Sequence, residues 1–163
     1  MSLATFSIDD ARAVAMLDRL RASGANTRKL NDEIGDAFVE IAALSFHDAA
    51  DPWGTAWAPL SPVTIQRRRQ KSDKPLNDFG FLRASIESRA SAAGVEVSIG
   101  RADRPATPHQ FGNPLNRMFG GALAPIPARP MLPLDEAGVR LAGTDYEHAL
   151  QDLVDDYLDE AVS

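Results

Sequence analysis

Between residues 27 and 50 the apolar side chains Leu30, Ile34, Ala37, Phe38, Ile41 and Leu44 recur at steps of three and four. That spacing lays them along one side of an α-helix, which opens near Asn26 or Thr27 and stops at Asp51-Pro52. The stripe reads as core, with a contact between subunits competing for the same face. Upstream, Ser7 and Asp10 have capping-box spacing, Val14, Leu17 and Leu20 follow at helical intervals, and Gly24 closes a first helix. A change of period comes at residues 95–99, where Val95, Val97 and Ile99 alternate with polar residues as one face of a strand. With an extended run to about Arg89 and a turn at 91–94, they predict a β-hairpin, entered through a short helical turn or strand start at 81–85.

Ser61-Pro62 has the form of an N-cap followed by proline at the first helical position, predicting a short helix through Gln70. A final helix runs from about Asp145 to Ala161. Thr144 and Glu147 form its capping box, Tyr146, Leu150, Leu153, Tyr157 and Leu158 its apolar stripe, and carboxylates cover the rest. Further extended pieces flank residues 109–134. The pattern predicts an α+β fold, with N-terminal helices and a C-terminal helix packed on a small, mainly antiparallel sheet with long loops.

Two connections are unusual. Residues 51–62 carry both tryptophans, Trp53 and Trp57, either as anchors buried under a loop or as binding side chains. Residues 113–127, with Gly120-Gly121 and several prolines, have no regular period, yet include Leu115, Met118, Phe119, Leu123 and Ile126. Such a loop folds across its own domain or orders against a neighbouring subunit, and the partner contact is the preferred reading. The 163 residues suit one domain spanning 1–163, with 113–127 as its interaction loop.

Composition adds exclusions. At 44% hydrophobic and 25% charged residues the chain is expected to fold. It has no cysteine, so disulfides and thiolate metal sites are excluded. Residues 1–6 lack the features of a signal peptide, and no apolar run approaches a membrane span. The net charge of -6 argues against a dedicated nucleic-acid-binding domain. Residues 135–160 hold nine acidic side chains against Arg140 alone, a balance of -8 that leaves +2 for the remainder. The basic side of that segregation is Arg67, Arg68, Arg69, Lys71 and Lys74, diluted by Asp73 and Asp78. These cations suit phosphates or an acidic protein surface, with a solvated helix and loop as the plainer reading.

Catalytic signatures are missing: there is no Gly-x-Ser-x-Gly, Walker-type loop or paired-glycine dinucleotide motif. His47, His109 and His148 are dispersed, and His47-Asp48 with Asp51 is a weak metal set. His109, held between Pro108 and Gln110-Phe111-Gly112, is the best single suspect, but no nucleophile accompanies it. The structural expectation is that its ring bonds local backbone, Phe111 plugs into the core and Gly112 permits an unusual turn. No catalytic residue, cofactor or metal is expected.

Taken in order, Trp57-Ala58-Pro59-Leu60-Ser61 with Thr64, Leu76 and Gly80 through Ser85-Ile86, the strand at 95–99, His109-Gln110-Phe111-Gly112 and Pro127-Ala128-Arg129-Pro130 resemble the phage virion morphogenesis family. The resemblance covers about residues 7–160. Where that family tends to have Tyr-Ala before His-Gln-Phe-Gly, this chain has Thr107-Pro108, so the strand entering the motif is expected to be short or bent.

The resemblance implies a non-enzymatic structural protein of a tailed phage or prophage, completing the tail or enabling head-tail joining. Its expected partners are other tail or neck proteins and copies of itself, in a ring; no membrane is expected, and nucleic acid is not favoured. Its expected place is the bacterial host cytoplasm during assembly, then the virion tail or neck. Trp53, Trp57, Arg67, Arg68, Arg69, Phe119 and Arg129 are the candidate contact residues; Gly80, His109, Gln110, Phe111, Gly112 and Pro130 are motif residues with a structural part. A ring needs a repeated heterologous contact, for which the cluster at 67–74 and the acidic final helix are candidate complementary surfaces. The alternative is a DNA-contacting connector accessory protein using that cluster, and a metal-dependent hydrolase ranks last.

Overall fold

The computed structural model describes residues 18, 27–69, 72–99, 106–116, 124–135, 138–139, 141, 144 and 146–162. The helix predicted over 7–24 lies outside them apart from Asp18.

The long amphipathic stripe becomes helix α1, Arg28–Asp48. Leu30, Phe38 and Ile41 are buried, and Ile34 and Ala37 pack against the core. Leu44 departs from the expectation at 37% exposed, because the helical period carries the inward face to Ala42, Ser45 and Phe46 instead. The Thr27 hydroxyl does not cap α1; it donates to Ala92 O at 2.7 Å, while Asn31 Nδ2 donates to Ser91 O at 2.8 Å. Both bonds tie the start of α1 to the hairpin turn.

That hairpin is β1, Ile86–Ser91, and β2, Gly94–Ile99, antiparallel from Ile86 opposite Ile99 to Ser91 opposite Gly94. A 3₁₀ turn, Arg83–Ser85, leads into it. Val97 is buried on the face that meets α1, with Val95 and Ile99 beside it, as the alternation requires. Helix α2, Pro62–Arg67, starts where expected: Ser61 Oγ accepts the Thr64 N–H at 3.2 Å. It ends earlier than predicted, because Arg68 is extended (φ -71°, ψ 140°). The three arginines therefore do not share a helix.

A single helical turn, α3, Thr107–Gln110, occupies the motif entry where a strand was expected, and a short ladder pairs β3, Leu134–Asp135, with β4, Gly138–Val139. The final helix α4, Tyr146–Val162, buries Leu150 against Phe38 and Ala42. Lys29 Nζ lies 3.3 Å from Glu160 Oε2, so α4 runs antiparallel to α1 and ends beside its start. Its predicted capping hydroxyl is used backwards, Thr144 Oγ1 donating to Leu141 O at 2.6 Å. The fold is α+β, helices packed on a small antiparallel hairpin. Among the described residues no helix is long and apolar enough to cross a membrane.

The core has two lobes. Phe38, Ala42, Val97, Leu132 and Leu150 form one, between α1, the hairpin and α4. Phe46, Trp57 and Met131 form the other, around the last turn of α1. Gly35 sets the distance between α1 and the hairpin, since a Cβ there would come within 2.8 Å of Ser88 Cβ and 2.9 Å of Val95 Cγ2. Gly35→Val is therefore expected to cost about 2 kcal/mol by overpacking, read as a lowered urea midpoint. An unchanged midpoint would show that helix and hairpin separate freely.

Candidate functional site

The motif residues converge on the irregular chain at 128–134. Gln110, 5% exposed, sits at the end of α3 and aims its carboxamide at that segment. Its Oε1 accepts the N–H groups of Met131 at 2.9 Å and Leu132 at 3.2 Å. Its Nε2 donates to the carbonyls of Leu132 at 2.8 Å and Leu134 at 3.2 Å. The pattern fixes the amide orientation, because a flip would face donors with donors and carbonyls with carbonyl. Pro133 is fully buried and cannot donate, so the chain up to it cannot pair as an ordinary strand and a ladder begins only at Leu134. One side chain supplies the partners that a ladder would have given.

Neighbouring motif residues extend the knot. The His109 carbonyl accepts the Arg129 N–H at 2.6 Å. Gly112 has φ 79°, and a Cβ on it would lie 3.1 Å from Ala128 N and 3.2 Å from Ile126 O, so both backbone conformation and space demand glycine. Trp57 is buried, its ring 5.5 Å from that of Phe46 in an edge-on contact, and its Nε1 donates to Pro130 O at 2.9 Å. Trp53 is half-buried in the same loop, its backbone N–H on Asp51 Oδ1 at 3.0 Å. Gly80 lies in the turn before the 3₁₀ element, beside Val39 and Ala43 of α1.

Two expectations fail here. Phe111 is 43% exposed instead of plugging the core; the inward position at this turn belongs to Gln110, because buried main chain needs hydrogen bonds more than apolar area. The His109 ring does not bond local backbone, as its Nδ1 is buried without a hydrogen-bond partner. The anchoring role of Gln110 was weakly signalled in the sequence: an amide next to Phe-Gly, with a proline-rich partner segment downstream, is the only hint.

Arg129 is 5% exposed, and its guanidinium donates from Nε to Ala58 O at 2.8 Å and from Nη2 to Pro59 O at 3.2 Å. Burial, and after it the nearby Arg68, lowers its pKa below the ordinary arginine value, which still leaves a cation at neutral pH. Arg68 reaches back to the carbonyls of Lys74 at 2.7 Å and Ser72 at 3.2 Å, folding the loop around itself. Arg67 and Arg69 stay exposed. The structure thus brings Trp57, Arg68, Arg129, Pro130 and the 109–112 turn together, and leaves Arg67 and Arg69 outside.

Phe119 lies outside the described residues. The loop that carries it is closed at its neck, with Asn113 and Ile126 exchanging backbone bonds at 2.8 and 2.9 Å and Asn116 Nδ2 donating to Ala124 O at 2.8 Å. Leu115, beside that neck, is 77% exposed. Among the described residues no group of three or more histidine or acidic side chains could hold a metal ion. His47 and Asp48 contact one another at 2.7 Å, whereas Asp51 accepts from the backbone N–H groups of Trp53 and Thr55.

The sequence model of the phage virion morphogenesis family matches residues 8–159. The chain belongs to that family. No curated protein and no solved structure matches it. The phage virion morphogenesis family is a structural one, and membership gives the chain a phage morphogenesis role. The motif residues that carried the resemblance are, in this family member, a main-chain scaffold: Trp57, Gln110, Gly112 and Arg129 each fix backbone of a distant segment.

Gln110→Met keeps the volume but strands the Met131 and Leu132 N–H groups and the Leu134 carbonyl. At about 1–3 kcal/mol for each buried unsatisfied group, urea unfolding should show a loss of about 3 kcal/mol or more; a loss under about 1 kcal/mol would mean the segment finds other partners. Burial, and secondarily Arg129, lowers the His109 pKa below the ordinary 6.5. The unfolded chain then takes up the proton first, so stability is full above about 6.5 and falls as pH drops toward the folded pKa. Thermal melts between about pH 7.5 and about pH 5.5 should show that fall, and His109→Gln should flatten it. An equal slope in the variant would assign the loss to other groups.

Proposed function

We propose that this chain is a structural morphogenesis protein of a tailed phage or prophage that completes the tail or enables head-tail joining through protein-protein contacts. The observation that carries the reading is the family match across residues 8–159. The geometry supports it. The scaffold at 109–112 and 128–134 holds the neck of the loop at 113–127 rigidly, with Leu115 presented to solvent, as a protein-binding loop on a fixed frame would be. The partners proposed are tail or neck proteins and further copies of this chain, and the site of action is the host cytoplasm during assembly, then the tail or neck of the virion.

A second reading, a connector accessory protein touching packaged DNA, is favoured by one observation: Arg67 and Arg69 are exposed, and neither has an ion pair among the described residues. The net charge of -6 weighs against it.

Deleting the gene from its source phage or prophage should leave filled heads beside separate or abnormally ended tails in electron micrographs. Normal, infectious particles would overturn the tail-completion reading.

A further inference from the structure

The charge segregation along the sequence becomes two poles, an acidic one along the first part of α1 and a basic one beyond its other end. At the start of that helix, Lys29 meets Glu160, and the groove between α1 and α4 is lined by Glu33, Asp152, Asp156 and Glu160. Beyond its other end, Ala49 O accepts the Trp57 N–H at 2.7 Å, and the next two residues, Ala58 and Pro59, hold the Arg129 guanidinium. The 21 residues of α1 span about 30 Å at about 1.5 Å per residue. Asp152 and Asp156 lie about 6–12 Å back along α4 from Glu160, and the distance left still exceeds the Debye length of about 8 Å at physiological salt, so the poles of one molecule do not neutralise each other.

Lys29 compensates Glu33 and Glu160 at the acidic pole, but the basic pole has no carboxylate partner among the described residues. Among the described residues, no carboxylate lies within ion-pair distance of Arg67, Arg68, Arg69, Lys74 or Arg129. All the hydrogen bonds of the Arg68 and Arg129 side chains go to carbonyls, so the buried Arg129 adds its full charge to the surface in front of it. On α4, Asp152 and Asp156 are exposed and likewise lack ion pairs among the described residues.

The spacings match. Asp152 and Asp156 are one helical turn apart on one face, about 6 Å between their Cβ atoms. The extended Arg68 turns its own side chain inward and leaves Arg67 and Arg69 outward, about 7 Å apart along the chain. A surface that carries only one sign cannot face its own copy across a two-fold axis, so the acidic pole of one molecule meets the basic pole of another.

We propose that α4 of one copy docks, through Asp152 and Asp156, on the Arg67 and Arg69 surface of the next copy. Each copy carries both poles and can use both in the contact. It rests on the protein-protein reading above and names the partner of that reading's basic surface as a second copy of this chain.

The test uses two full-length variants, Arg67→Glu/Arg69→Glu and Asp152→Lys/Asp156→Lys, all four positions being exposed. Sedimentation at low salt should show the unaltered protein self-associating, less so as salt rises. Each variant alone, with an unaltered melting curve, should self-associate roughly 100-fold more weakly, because like charges then face each other. Mixed in equal amounts, the two should associate again, since each then offers the other a complementary pole. An unaltered protein that stays monomeric, variants that associate normally, or a mixture that stays apart overturns the contact. Normal association by the arginine variant together with lost retention on duplex DNA overturns it in favour of nucleic acid. Normal particles from the gene deletion would sink the tail reading while leaving this association result intact. Normal association by both variants, with unjoined heads in the deletion, would sink this contact alone.

Discussion

Three backbone groups of residues 131–134, the Met131 and Leu132 N–H and the Leu134 carbonyl, have the Gln110 carboxamide as their partner within the core, and the same amide also holds the Leu132 carbonyl. Proline at 130 and 133 denies this stretch a regular ladder, so its burial under α1 and the hairpin depends on a side chain that can both donate and accept. Met131 and Leu132 then place their side chains in the two lobes of the core. The contacts of Phe46 and Trp57 on one side and of Phe38 and Leu150 on the other follow from where that segment is held.

The same anchoring explains why a cation can be buried without a carboxylate. Arg129 enters the interior because its neighbours Pro130 and Met131 are fixed by Trp57 and Gln110. Its guanidinium is satisfied by the Ala58 and Pro59 carbonyls of the tryptophan loop. It cross-links two loops that are more than 60 residues apart in sequence and makes the surface around Arg67 and Arg69 more positive. Scaffold and surface charge are thus two consequences of one arrangement.

Much of the architecture was legible. The steps of three and four gave α1, the period of two gave the hairpin, and Ser61-Pro62 gave the start of α2, because these signals are local and each element satisfies its own backbone. The departures lie where a side chain takes a backbone partner that periodicity does not report. Arg68 leaves the helix to reach Lys74 O, the Thr144 hydroxyl turns to Leu141 O, and Phe111 yields the inward position to Gln110. In each case a hydrogen bond to a particular backbone group, near in sequence for Arg68 and Thr144 and distant for Gln110, outweighed a sound periodic preference.

By itself, the sequence determined the amphipathic elements, the separation of acidic and basic residues, and the family, all of which follow from residue order and period. Only the tertiary structure decided that the motif residues meet at the segment 128–134, that Gln110 is its anchor, and that the basic and acidic surfaces stand at opposite ends of α1. The physical reason is that periodicity reports which face of an element is apolar, whereas a buried carbonyl is answered by whichever donor the packed chain brings within about 3 Å.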